Sequence, residues 1–130
     1  MSRRLGWRTF IVVVVVGGAV AMTACSMSTD VVDRLTIVNR TAFDVEVQLS
    51  DAEKQSWQIL GRAGHESSTV NELIADEGPT WVFRFHYGGE LVDELAVKRS
   101  KLVRDGWRVE VPQRIDEKMR RLGFEPPSDR

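Results

Sequence analysis

The side chains able to do chemistry are few. One cysteine, Cys25, and two histidines, His65 and His86, stand in a chain of 130 residues. A lone cysteine forms no intramolecular disulfide, so it serves as a free thiol or an attachment point. The histidines have no cysteine or carboxylate partners at zinc-ligand spacing, and no cofactor is expected. "GHESS" (64–68) holds neither a metalloprotease pair nor a nucleophile elbow. "GRAG" (61–64) is too short for a phosphate loop and reads as a turn, which leaves His65 in a solvated turn beside Glu66. Arg84 and His86 lie two apart on a strand pattern, so both point to one side and could hold a small anion. The plainer reading of that side is the polar outer face of a sheet. Asp76–Glu77 and Asp93–Glu94 are adjacent pairs, whose carboxylates leave a strand on opposite faces and are poorly placed for joint acid–base work. Both lie near turns and read as solvated acids.

The position of Cys25 is the informative feature. "MSRRLGWR" is a basic head without acids, "FIVVVVVGGAVAM" (10–22) is an apolar stretch of 13 residues, and "TAC" follows. A basic head, an apolar run of roughly 7–15 residues and a small-residue exit make a secretory signal peptide. A membrane-spanning helix needs about 20 apolar residues, more than the strictly apolar part supplies. The paired Arg3 and Arg4 also suit twin-arginine export, although Gly6 interrupts that pattern. "MTAC" (22–25) resembles the lipobox of bacterial lipoproteins, with Ala24 and Thr23 fitting and Met22 standing where leucine is usual. The resemblance implies cleavage before Cys25 and lipidation of its thiol. Two or three acyl chains anchor stably, since each buried methylene contributes about 0.8 kcal/mol. Residues 1–24 are therefore expected to be a signal peptide, and 25–33 a lipidated N-terminus and short tether.

The elements that must position Arg84, His86 and the acids are strands. "FDVEVQLS" (43–50) alternates strictly, with Phe43, Val45, Val47 and Leu49 on one face, the mark of a half-buried strand. "WVFRFHY" (81–87) sets Trp81, Phe83, Phe85 and Tyr87 against Val82, Arg84 and His86. Further strands are predicted at 35–39, 56–60, 67–73, 94–98 and 107–111, with "DEGPT" (76–80) as a breaker. Trp57, Trp81 and Trp107 are expected to share a core. A short helix is predicted over 100–106, capped by Ser100 and ended by Gly106. A second, over 113–123, carries Ile115, Met119 and Leu122 on one stripe and reads as a lid. Residues 34–124 then form an antiparallel β-sandwich of about seven short strands with a C-terminal helix, and 125–130 a loose tail.

Without its first 24 residues the chain has 15 basic and 19 acidic side chains, a net charge of −4. That balance argues against nonspecific nucleic-acid binding. "NRT" (39–41) is formally a glycosylation sequon, which the bacterial lipobox discounts. The lipobox, "NRTAFDV" (39–45), "WVFRFHYGG" (81–89) and "GWRVEVP" (106–112) together resemble small predicted lipoproteins of actinobacteria over most of 35–125. The resemblance implies fold class and location and carries over no catalytic residue. The expected function is a non-enzymatic binding or structural module, lipid-anchored on the extracytoplasmic face of the cell membrane, with an envelope protein or glycan as partner. The alternative is a small envelope enzyme or enzyme accessory using Arg84, His86 and loop carboxylates. A solute receptor would need two lobes.

Overall fold

Strictly alternating apolar residues give each strand one buried face, and two such faces cover each other. The computed structural model describes residues 30–128, so the signal-peptide, cleavage and Cys25 assignments lie outside the described residues. Among the described residues there are seven strands: β1 (Val31–Asn39), β2 (Val45–Ser50), β3 (Gln58–Ala63), β4 (Ser67–Ala75), β5 (Thr80–Tyr87), β6 (Glu90–Lys98) and β7 (Arg108–Glu110). They form a three-stranded sheet ordered β4-β1-β7 and a four-stranded sheet ordered β3-β2-β5-β6. Two short helices, α1 (Arg99–Arg104) and α2 (Arg114–Arg121), follow β6 and β7. The predicted β-sandwich with a C-terminal helix is the fold.

The core is the sum of the inward faces. Val45, Val47 and Leu49, with Phe43 from the bend before β2, meet Trp81, Phe83 and Phe85 of the same sheet and Leu35, Ile37, Ile74 and Val109 from the other side. Trp81, Phe83, Phe85, Phe43, Leu35 and Leu49 have no exposed surface. All pairings are antiparallel except one: β7 runs parallel to β1, Thr36–Val38 against Arg108–Glu110. A parallel neighbour requires a long connection. Here the chain crosses from one sheet to the other through α1 before it returns.

Several local expectations are corrected. β1 begins at Val31, so the strand takes in the last part of the predicted tether. "GRAG" is not a turn. β3 continues through it to a buried Ala63, and Gly61 takes φ +98 where the pairing with Val47 and Gln48 shifts register. A bulge of this kind favours glycine, which alone enters that backbone region freely. Val82, placed on the polar side, is only 2% exposed. The Ser50 hydroxyl donates to the Ser56 carbonyl at 2.6 Å and folds the 51–57 loop over this end of the outer face.

Both helices end in the same way. In α1 the N–H groups of Trp107 and Gly106 reach back to the carbonyls of Leu102 and Val103. In α2 those of Phe124 and Gly123 reach back to Met119 and Arg120. These are Schellman closures, which place the residue after the glycine against the helix's apolar side. Ile115 and Met119 are fully buried, whereas Leu122 is 61% exposed. Phe124 completes the stripe in its place, 4.9 Å from Tyr87 between ring centroids. Ser100 lies inside α1, and the N-cap residue is Lys98 without a side-chain cap.

The "NRT" segment is a buried corner. Asn39 Nδ2 donates to the carbonyls of Phe43 and Ala63 at 2.8 and 3.0 Å, and its Oδ1 accepts from the Thr41 N–H and hydroxyl. Asn39 has no exposed surface, so in the folded chain its amide is not open to modification.

Candidate functional site

Arg84 and His86 leave β5 on the side away from the aromatic core but do not converge. Arg84 Nε donates to Glu94 Oε2 at 3.0 Å, and its guanidinium carbon lies 4.0 Å from the centre of the Trp57 ring. Trp57 is therefore on the outer face and outside the core, while Trp107 packs on Trp81 at 5.3 Å as expected. Lys54 also pairs with Glu94. Its bond, followed by the one from Arg84, holds the Glu94 carboxyl below the usual carboxylate range. His86 instead borders a cavity of about 220 Å³ lined by Asp44, Glu46, Arg62 and Tyr87, and its buried Nδ1 has no hydrogen-bond partner among the described residues.

His65 is not simply solvated. Its backbone N–H and ring Nδ1 both meet Asp44 Oδ1 at 2.7 Å, and Arg62 pairs with the other carboxylate oxygen. Burial by itself would raise the Asp44 pKa. The His65 bonds and then Arg62 outweigh it and lower the value to about 2. Glu66 takes no part in this cluster.

The acidic pairs are also structural. Asp93 and Glu94 point to opposite faces, as adjacency requires, but Asp93 faces inward in step with Leu95 and Val97, opposite Phe85. Its side chain is only 7% exposed and binds Arg114 and Lys118 of α2. Asp76 holds Arg99, and Glu77 contacts the Gln58 amide. The reading of Asp93 as a solvated acid is therefore corrected: it is the anchor of the C-terminal helix. Among the described residues no group of three or more His, Cys, Asp or Glu side chains is placed to hold a metal ion.

The two lateral edges of the sandwich differ. On one side β3 and β4, from opposite sheets, are joined by side-chain amides. Gln58 pairs with both the N–H and the carbonyl of Ala75, at 3.0 and 2.9 Å, and Asn71 donates to the Leu60 carbonyl at 3.1 Å. An amide side chain has the same donor and acceptor as a peptide group, so it can stand in for a paired strand. On the other side β6 and β7 are each paired on one side only among the described residues. Between them lies an open groove of about 680 Å³. Leu95, Val97 and Val109 line it, with Lys98, Lys101, Arg104, Arg108 and Arg114 against only Asp105 and Glu110.

The groove was not anticipated. Its signal in the sequence is a locally basic segment, 98–114, within an otherwise acidic body. The two strand edges that frame it are visible only in the folded chain. The chain matches no family model, no curated protein and no solved structure.

Proposed function

We propose that the chain is a lipid-anchored, extracytoplasmic binding or structural module of a bacterial envelope, without catalytic activity of its own. It docks an anionic protein or glycan in the groove between β6 and β7. The observation that carries this reading is the groove: two strand edges unpaired among the described residues and an excess of cationic side chains. Free strand edges offer unpaired N–H and carbonyl groups to a partner. The anchor rests on the "MTAC" pattern and on the short run from Cys25 to the start of β1 at Val31. The six residue steps from Cys25 to Val31 reach at most roughly 21 Å at about 3.5 Å each, so the domain would stand against the bilayer. The enzyme alternative has less support, because Arg84 is held by Glu94 and Trp57 while His86 opens onto a different, small cavity.

Two measurements test the proposal. A metabolic fatty-acid probe should mark the wild type and not Cys25→Ser, and equal labelling of both refutes the anchor. A photocrosslinking residue at Ala96, in the groove, should capture a partner that the same residue at the exposed Glu90 does not. Equal capture from both positions refutes the groove.

A further inference from the structure

The joined edge carries its own unexplained feature. Ile59 and Leu73 are 79% and 74% exposed, the two most exposed large apolar side chains among the described residues. They lie together on the β3/β4 edge beside the exposed Glu72, around a shallow cleft of about 320 Å³ with no basic residue in its lining. Leu73 also takes φ +54, an uncommon backbone conformation for a bulky residue that tends to persist where function requires it. One lateral edge is thus apolar with an acid. The opposite edge is a groove with a basic rim.

We infer that the occupant of the groove is a second copy of this chain, with the Ile59–Glu72–Leu73 edge of one molecule seated between β6 and β7 of the next. The inference rests on the groove and anchor readings above and names the partner. Ile59 and Leu73, exposed in the single molecule, gain by being covered against the other molecule's exposed Ala96 and half-buried Leu95, and Glu72 meets the rim set by Lys101 and Arg104. The anchor constrains the geometry further. The Asp76 N–H donates to the Asp30 carbonyl and the Arg99 N–H to that of Pro79. This puts the first described residue, the 76–80 breaker and α1 at one end of the sandwich. The two lateral edges run away from that end, so edge-to-edge contact permits every copy's Asp30 end to face the same way, the one orientation that attachment to a single bilayer allows. Unlike surfaces meeting in this manner do not close on themselves and build rows, not pairs. Confinement to a surface raises the effective concentration of each copy for its neighbour.

The test is crosslinking of the full, acylated chain carrying Ile59→Cys and Ala96→Cys, reconstituted in neutral phosphatidylcholine vesicles and mildly oxidised. A ladder of trimers and longer species is expected. Dimers alone, formed equally by either single variant, mean that like meets like and overturn the inference. Monomers alone, with both introduced thiols reactive to maleimide, overturn it as well. Glu72→Lys, and separately Lys101→Glu with Arg104→Glu, should each cut the ladder tenfold or more, and mixing the two variants should restore it in mixed species. A ladder indifferent to these charges overturns the docking arrangement. If the residue at Ala96 captures another envelope component and never a second copy, the groove reading stands and the self-association falls. A third reactive thiol per chain reports an unacylated Cys25, which separates failure of the anchor from failure of the contact.

Discussion

Asp93 offers the sharpest test of how this fold is held together. Its carboxylate is 7% exposed and accepts bonds from Arg114 at 2.5 Å, Lys118 at 3.1 Å and the Glu94 N–H at 2.9 Å. Arg114 and Lys118 are themselves 55% and 41% exposed. Asp93→Asn leaves two cations that water can rehydrate, so the loss is that of the charged hydrogen bonds, about 2–3 kcal/mol. Arg114→Ala or Lys118→Ala alone leaves the other cation in place and should cost about 1 kcal/mol each. Removing both strands a buried carboxylate with one backbone donor, at a cost of about 3–5 kcal/mol. The double variant should therefore lose more than its singles combined. The pH dependence gives an independent sign. Burial raises the Asp93 pKa, but Arg114, the Glu94 N–H and Lys118 together hold it below the usual carboxylate range. Its stabilisation is thus present above the unfolded-state value of about 3.9 and lost as pH falls through the folded value. With both cations gone, only the Glu94 N–H still opposes burial, the largest of these effects, so the folded pKa rises. Protonation then relieves a penalty, so the double variant should gain stability from pH 7 down to 4 relative to wild type. Urea melts at pH 7 and 4, with amide exchange across Arg114–Arg121, measure both effects. Additive losses together with a wild-type acid slope would refute this account of α2.

Trp81→Ala should cost about 3–5 kcal/mol by leaving a cavity in the core, and Arg84→Ala only about 1 kcal/mol for its outer-face contacts with Glu94 and Trp57. Denaturant melts that rank them the other way contradict the assigned facing of β5. Asp44 is held near a pKa of about 2 against an ordinary 3.8, so its contribution is present above about pH 3.8 and lost as pH falls toward 2. Asp44→Asn should flatten that part of the acid unfolding curve, and an unchanged curve argues against the His65–Asp44–Arg62 cluster. Asn39→Ala removes the donor to two buried carbonyls and the acceptor for Thr41, and should cost about 2–3 kcal/mol in thermal or urea unfolding. A loss below 0.5 kcal/mol, the usual range for surface changes, would show that the corner is not held by this amide.

The sequence by itself determined the layers and the buried faces. Period-two alternation assigns Phe43, Val45, Val47, Leu49, Trp81, Phe83 and Phe85 to one side of their strands, because side-chain direction in a strand is a local property. It also determined that Cys25 follows an apolar run and a small residue. Tertiary structure decided everything that depends on which segment lies beside which. Whether Asp93 is solvated or buried depends on α2, more than twenty residues later, arriving over it with Arg114 and Lys118. Whether Trp57 joins the core depends on Arg84 offering a cation on the outer face. Whether "GRAG" turns or continues depends on β2 being there to pair across a bulge at Gly61. The contrast between a joined edge at Gln58 and Asn71 and an open one between β6 and β7 exists only once two sheets face each other. Alternation is a property of one strand, whereas an edge belongs to the assembled sandwich.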